Sequence, residues 1–123
     1  MAQPSNDILR GTLDLLVLKA LSFGSAHGYG VARWIQFATG DMLQVGEGTL
    51  YPALYRLEDR GWIVASWGAS ENNRKAKFYA LTDAGRRQLE DEAASWARYA
   101  QAIFAALSAP ALPPALPERT IEA

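Results

Sequence analysis

Apolar residues recur along this chain at two spacings, and the change from one to the other divides it into elements. Leu9, Leu13, Leu16, Val17 and Ala20 fall three and four apart, which predicts a helix with one buried face, opened by an N-cap at Ser5, Asn6 or Asp7 and stopped at Gly24. After a link from Ser25 to Gly28, Val31, Ile35 and Ala38 predict a second helix with Gly40 at its end and Tyr29 and Trp34 packed nearby. Leu50, Leu54 and Leu57 carry the stripe of a third. Thr49 is placed to cap it, so the helix is expected to start near Leu50, with Pro52 in its first turn and Gly61 ending it. The period then changes: Trp62 to Trp67 and Ala76 to Leu81 read as strands around a polar loop from Gly68 to Lys75. Thr82 predicts the cap of a final helix, along which Leu89, Ala93, Trp96, Ala100, Ile103 and Leu107 keep a four-and-three spacing.

Three helices, a hairpin and a long last helix make a mostly α chain with a small β-hairpin. The order is that of a winged helix-turn-helix domain over residues 8–81, followed by a C-terminal dimerisation helix over 82–108. From Leu81 to Ser108 that helix would be roughly 40 Å long at 1.5 Å per residue, more than a small domain needs to cover itself, and its apolar seam calls for a partner. Residues 109–123 are rich in Pro and Ala without periodicity and read as a disordered tail.

Composition sharpens this picture at three points. Of 123 residues, 12 are Lys or Arg and 13 are Asp or Glu, so a nucleic-acid surface has to come from clustering and not from total charge. Arg74, Lys75, Lys77, Arg86 and Arg87 supply such a cluster, with Asp83 as its one acid, whereas Asp91, Glu92, Glu118 and Glu122 make the C-terminal part acidic. The chain has no cysteine, which excludes disulfides and thiolate metal sites and agrees with a reducing compartment. The apolar run from Leu15 to Leu21 is interrupted by Lys19 and too short to span a bilayer, and the N-terminus lacks a basic n-region and an h-region, so a cytoplasmic protein without membrane contact is expected.

The chemistry that fits these residues is DNA recognition. Thr49 and Tyr51 could donate to phosphate at a positively polarised helix N-terminus, Tyr55 stands off the buried stripe, and Arg56 suits a base edge or a phosphate. Arg74, Lys75 and Lys77 on the hairpin would add sequence-independent attraction. Tyr55 could instead cover the core, while Leu50, Leu54, Leu57, Trp62 and Phe78 are explained as core by their spacing. His27 is the single histidine and has no partner for a metal site or a catalytic triad, so it is expected to cap or pack. Gly46, Gly48 and Thr49 lack the Lys of a phosphate loop. No cofactor and no enzymatic activity are expected. Trp96 offers a flat apolar face to interface packing or to a small planar aromatic effector. A competing class is a protein-interaction module that uses Trp67, Trp96 and the acidic C-terminal part.

The segments LDLLVLKAL from Leu13, HGYGVARWI from His27, GEGTLYPALYRLEDRGWI from Gly46 and SENNRKAKFYALTDAGRRQL from Ser70 closely resemble the PadR family of bacterial transcriptional regulators. The resemblance covers roughly residues 8–108 and is nearest to the subfamily with a single short C-terminal helix. It implies a homodimeric repressor whose C-terminal helix makes the dimer contact and whose third helix enters the major groove of a palindromic, double-stranded operator. Some members sense small hydrophobic compounds. The chain departs from the common pattern at Gly46, where Asn is frequent, and at Tyr55, where His is.

Overall fold

The computed structural model describes residues 6–69 and 72–112, with side chains from residue 11 onward. In chain order the elements are α1 (Asn6–Leu21), β1 (Ala26–His27), α2 (Gly28–Ala38), α3 (Glu47–Asp59), β2 (Ile63–Ala69), β3 (Lys75–Leu81) and α4 (Asp83–Ser108). They divide into two compact units, residues 1–93 and 94–123. The first holds the core, and the second is helical as far as Ser108. Ser5, the side chains of Asn6, Asp7 and Leu9, and residues 113–123 of the Pro/Ala-rich tail lie outside the described residues.

The core forms where four apolar stripes meet. Leu13, Val17, Leu18 and Leu21 of α1, Val31 and Ile35 of α2, and Leu50, Ala53, Leu54 and Leu57 of α3 are buried together with Ile63 and Tyr79 of the hairpin. Of the expected core positions, Leu16 and Trp62 are partly buried against the core, and two others depart further. Ala38 is exposed, because α2 closes there and turns through Thr39 and Gly40. Phe78 is only partly buried, and its neighbour Tyr79 takes the core position. Side chains alternate along a strand, and β3 pairs Leu81 with Ile63 and Tyr79 with Ala65 on the inward face, leaving Phe78 opposite Ser66 on the other.

The hairpin has a third strand that the hydrophobic pattern did not announce. Ala26 and His27 pair antiparallel with Tyr79 and Phe78, giving the order β1-β3-β2. This sews the start of α2 to the sheet.

Helix ends follow sequence chemistry closely. Both α2 and α3 finish with a glycine in the left-handed region, Gly40 at φ 59° and Gly61 at φ 76°. The Asp41 N–H donates to the Gln36 carbonyl at 2.8 Å and the Trp62 N–H to the Leu57 carbonyl at 3.0 Å, the reach-back that satisfies orphan carbonyls. The start of α3 is the exception to the sequence reading. Its N-cap is Gly46, extended at φ −82° and ψ 165°, and no side chain caps it. Thr49 is therefore the third helical residue and Pro52 the sixth, in the second turn. The uncrowded glycines Gly46 and Gly48 let the chain enter the helix early. Pro52 removes the N–H that would bond the Gly48 carbonyl.

Thr82 ties the end of α3 to the start of α4. Its hydroxyl donates to the Gly61 carbonyl at 2.7 Å and accepts from the Gly85 N–H at 3.0 Å, while its own N–H donates to the Trp62 carbonyl at 3.1 Å. Gly85 permits this closeness, since a Cβ there would stand 2.0 Å from the Trp62 carbonyl oxygen. Urea unfolding is expected to show Gly85→Ala destabilised by about 3 kcal/mol, because backbone has to move to admit one methyl group. Gly48→Ala meets open space and is expected to be neutral or to gain about 0.5 kcal/mol from helix propensity.

Candidate nucleic-acid interface

With Leu50, Ala53, Leu54 and Leu57 turned inward, 3.6-residue periodicity puts Thr49, Tyr51, Pro52, Tyr55 and Asp59 on the outer face of α3, and all five are exposed. Tyr51 and Tyr55 remain 47% and 72% accessible, so Tyr55 does not serve as a lid on the core. The Tyr51 ring closes over the first residue of α2: a Cβ at Gly28 would sit 3.2 Å from its Cε1 and Oη atoms. The glycine before Tyr29 is thus what allows the two helices to approach at this point.

The start of α2 is held by His27, whose Nδ1 accepts from the Gly30 N–H at 3.0 Å. Its ring also lies between Tyr29 and Phe78, at centroid distances of 6.2 and 5.7 Å. The single histidine therefore caps and packs, as its isolation in the sequence suggested. Arg33, one turn along, donates to the Tyr29 hydroxyl at 3.4 Å. Tyr29, Arg33 and Tyr51 line a cleft of about 870 Å³ between α2 and the beginning of α3, together with Gln44 and the acids Asp41 and Glu47. The pattern of periodicity did not single out Tyr29 and Arg33 as surface partners of Tyr51. The HGYG spacing before a helix was the available signal.

Arg56 is placed differently from the other expected contacts. Its Nη2 pairs with Asp14 Oδ1 of α1 at 2.8 Å, with the two side chains 30% and 14% exposed, and its Nε is buried without a hydrogen-bond partner among the described residues. A guanidinium at the edge of a buried stripe has an apolar stem to bury and a charge that needs a partner, and Asp14 supplies it.

The hairpin carries its cations on one face. Register places Trp67 opposite Lys77 and Ala69 opposite Lys75. Lys75 stands 5.0 Å over the exposed indole of Trp67. Lys77 stands 5.5 Å over the Tyr79 ring and pairs with Glu58 of α3 at 3.7 Å. Arg74 is exposed beside Asn73, which turns the loop at φ 58°. Arg86 and Arg87 are exposed on the first turn of α4.

Along α4 the expected seam is not uniform. Leu89 is partly buried and packs against the core, whereas Ala93, Trp96, Ile103 and Leu107 are exposed and Ala100 is partly so. Tyr99 and Phe104 add to the exposed apolar surface, and the Tyr99 ring meets Trp96 edge-on at 6.2 Å. Among the described residues no group of three or more His, Cys, Asp or Glu could hold a metal ion, and no helix is long and apolar enough to cross a membrane.

Comparison with known proteins gives this geometry a context. Residues 17–91 match the family described as transcriptional regulator PadR-like. A protein of Lysinibacillus sphaericus is 32% identical over 98 residues, which are 80% of this chain and 90% of that protein. The negative transcriptional regulator PadR of Bacillus subtilis is 28% identical over 79 residues, and the match takes in 64% of this chain but 43% of that longer protein. Among solved structures, a PadR-like transcriptional regulator from Bacillus cereus superposes with a TM-score of 0.73 at 28% identity, covering 85% of this chain and 100% of that one. The Bacillus subtilis and Bacillus cereus proteins are transcriptional regulators.

Removing the cap on α2 tests the local geometry. His27→Ala is expected to cost about 1 kcal/mol in urea unfolding, the usual value of a helix N-cap, plus a smaller loss from its contacts with Tyr29 and Phe78.

Proposed function

The chain belongs to the transcriptional regulator PadR-like family, and from that premise we propose that it is a homodimeric repressor that reads a palindromic operator. Residues 8–81 form the reading domain and residues 82–108 the dimerisation helix. The observation that carries this reading is the exposed face of α3, where Thr49, Tyr51 and Tyr55 stand clear of the core beside a hairpin bearing Arg74, Lys75 and Lys77. Such a helix fits the major groove, with its N-terminal residues nearest the bases and the hairpin on the adjoining backbone. Its first turn has no side-chain cap, and N–H groups left open in this way suit a phosphate oxygen. The Bacillus subtilis relative, a negative transcriptional regulator, supports repression.

The exposed Trp96, Ile103 and Leu107 form the dimer seam with Ala93 and Ala100, and Leu89 anchors the same helix to its own core. Two-fold symmetry then sets half-sites about one helical turn, roughly 34–36 Å, apart. A second reading concerns an effector. Trp96 and Tyr99 present an edge-to-face aromatic pair, a surface suited to a small planar aromatic compound. Such a compound would alter operator affinity only through unequal affinity for the free and bound dimers.

Binding of the protein to a fluorescent duplex from upstream of its own gene, across a salt series, tests operator reading. Tight, salt-dependent binding to one segment is expected. Lys75→Ala should weaken all sequences alike and lower the salt slope by about one. Equal affinity for operator and random duplex would refute the reading. For the seam, Ile103→Lys with Leu107→Lys is expected to convert a sedimenting dimer to monomer. Quenching of indole fluorescence by planar cationic dyes, abolished in Trp96→Ala, checks the effector surface.

A further inference from the structure

What α3 presents to its surroundings depends on how the helix is rolled about its own axis. Its buried side is held by Leu50, Ala53, Leu54 and Leu57, and apolar burial is non-directional, so these contacts fix the depth of the helix more firmly than its roll. A roll of about 10° carries a side-chain tip about 6 Å from the helix axis through about 1 Å, enough to spoil a hydrogen bond to a base edge. A directional contact at the edge of the stripe would remove that freedom.

The Asp14–Arg56 pair is such a contact. It joins residues 42 positions apart, on α1 and α3, at 2.8 Å, with the Asp14 side chain 14% exposed. Arg56 lies beside Leu57 at the margin of the buried stripe, and its Nε is sealed from solvent without a partner among the described residues. The base of the guanidinium is thus enclosed while one tip nitrogen is tied down. Resting on the operator reading above, we propose that this ion pair sets the roll of α3 and hence the aim of Thr49, Tyr51 and Tyr55. Arg56 is the anchor of the reading helix and not a reader. Asp14, a residue of the first helix, is a positioning residue that determines operator discrimination.

The two roles for Arg56 predict opposite effects of releasing it. If Arg56 read DNA, Asp14→Ala would free its charge, and discrimination would hold or rise. If the pair positions α3, Asp14→Ala and Arg56→Met should each lower the ratio of operator to random-duplex affinity about tenfold, and the double variant no further, because both remove one shared interaction. Affinities are measured by fluorescence anisotropy on the full chain, with urea unfolding alongside. Partial unfolding would lower the active fraction, whereas a mis-aimed helix changes the ratio itself and leaves the salt slope unchanged. Asp14→Asn, which keeps shape and one acceptor, should shift the ratio in the same direction, and it carries the test if Asp14→Ala does not fold. A loss confined to Arg56→Met would overturn the inference in favour of direct reading. Unchanged ratios in all variants would reduce the pair to a structural contact. A wild-type chain that selects no duplex would sink the operator reading and this inference with it, and that result appears before any substitution is made.

Discussion

Burial of one side of α3 against α1 is the constraint from which the other features of the first unit follow. Leu50, Ala53, Leu54 and Leu57 meet Leu13, Val17, Leu18 and Leu21 in a single cluster, and a helix committed on one side is necessarily presented on the other. Each buried leucine adds about 1.5–3 kcal/mol of transfer free energy. The outer side can therefore hold Thr49, Tyr51 and Tyr55 in water, where their burial adds little. The same packing brings Arg56 within reach of Asp14. The helix is stabilised from one side, and its exposed positions are left available for surface chemistry.

The end of α3 organises what comes after it. Gly61 reverses the chain, Trp62 reaches back to Leu57, and the carbonyls of Gly61 and Trp62 accept from Thr82. A helix end, the root of the hairpin and the start of α4 thus share one set of hydrogen bonds, closed by a glycine at position 85 that has no room for a Cβ. Movement of the first turn of α4 therefore has to be accommodated at Gly61 and Trp62. Lys77, paired with Glu58 on the last turn of α3, adds a side-chain link between that helix and the returning strand.

Much of this was legible in the sequence, for a stated physical reason in each case. Long stripes with terminal glycines located α1, α2 and α3, and Thr82 announced α4, because helical periodicity and cap chemistry are local properties. What escaped depended on contacts distant in sequence. β1 is two residues long and exists only because β3 offers it a partner. The choice of Tyr79 over Phe78 for the core is a matter of strand phase, and two adjacent aromatics do not encode it. Thr49 looked like a cap because its hydroxyl suits one, but Gly46 and Gly48 allowed an earlier start. The pairing of Arg56 with Asp14 escaped as well. The two lie 42 residues apart, and no local pattern reveals the contact. Of the expected interface residues, the structure exposes Thr49, Tyr51, Tyr55, Arg74 and Lys75, and it engages Arg56 and Lys77 with acids.

Those two engaged cations bear on how a chain with formal charge −1 could attract a polyanion. Pairing with Asp14 and Glu58 cancels Arg56 and Lys77 at long range, so the field around the hairpin falls chiefly to Arg74, Lys75, Arg86 and Arg87. At physiological salt, charges farther than about 8 Å apart are largely screened, and the acidic stretch from Glu90 to Glu92 subtracts from the cluster nearby. A single copy would thus attract DNA weakly and without much regard to sequence. Two copies joined through the exposed apolar side chains of α4 would double the cationic surface and bring two reading faces into one assembly. On this view the apolar surface at Trp96, Ile103, Phe104 and Leu107 belongs to recognition as much as to assembly. Selectivity would then come from requiring two half-sites together, and a ligand that changed the spacing of two reading faces would act on duplex affinity with the same coupling free energy that duplex binding exerted on the ligand.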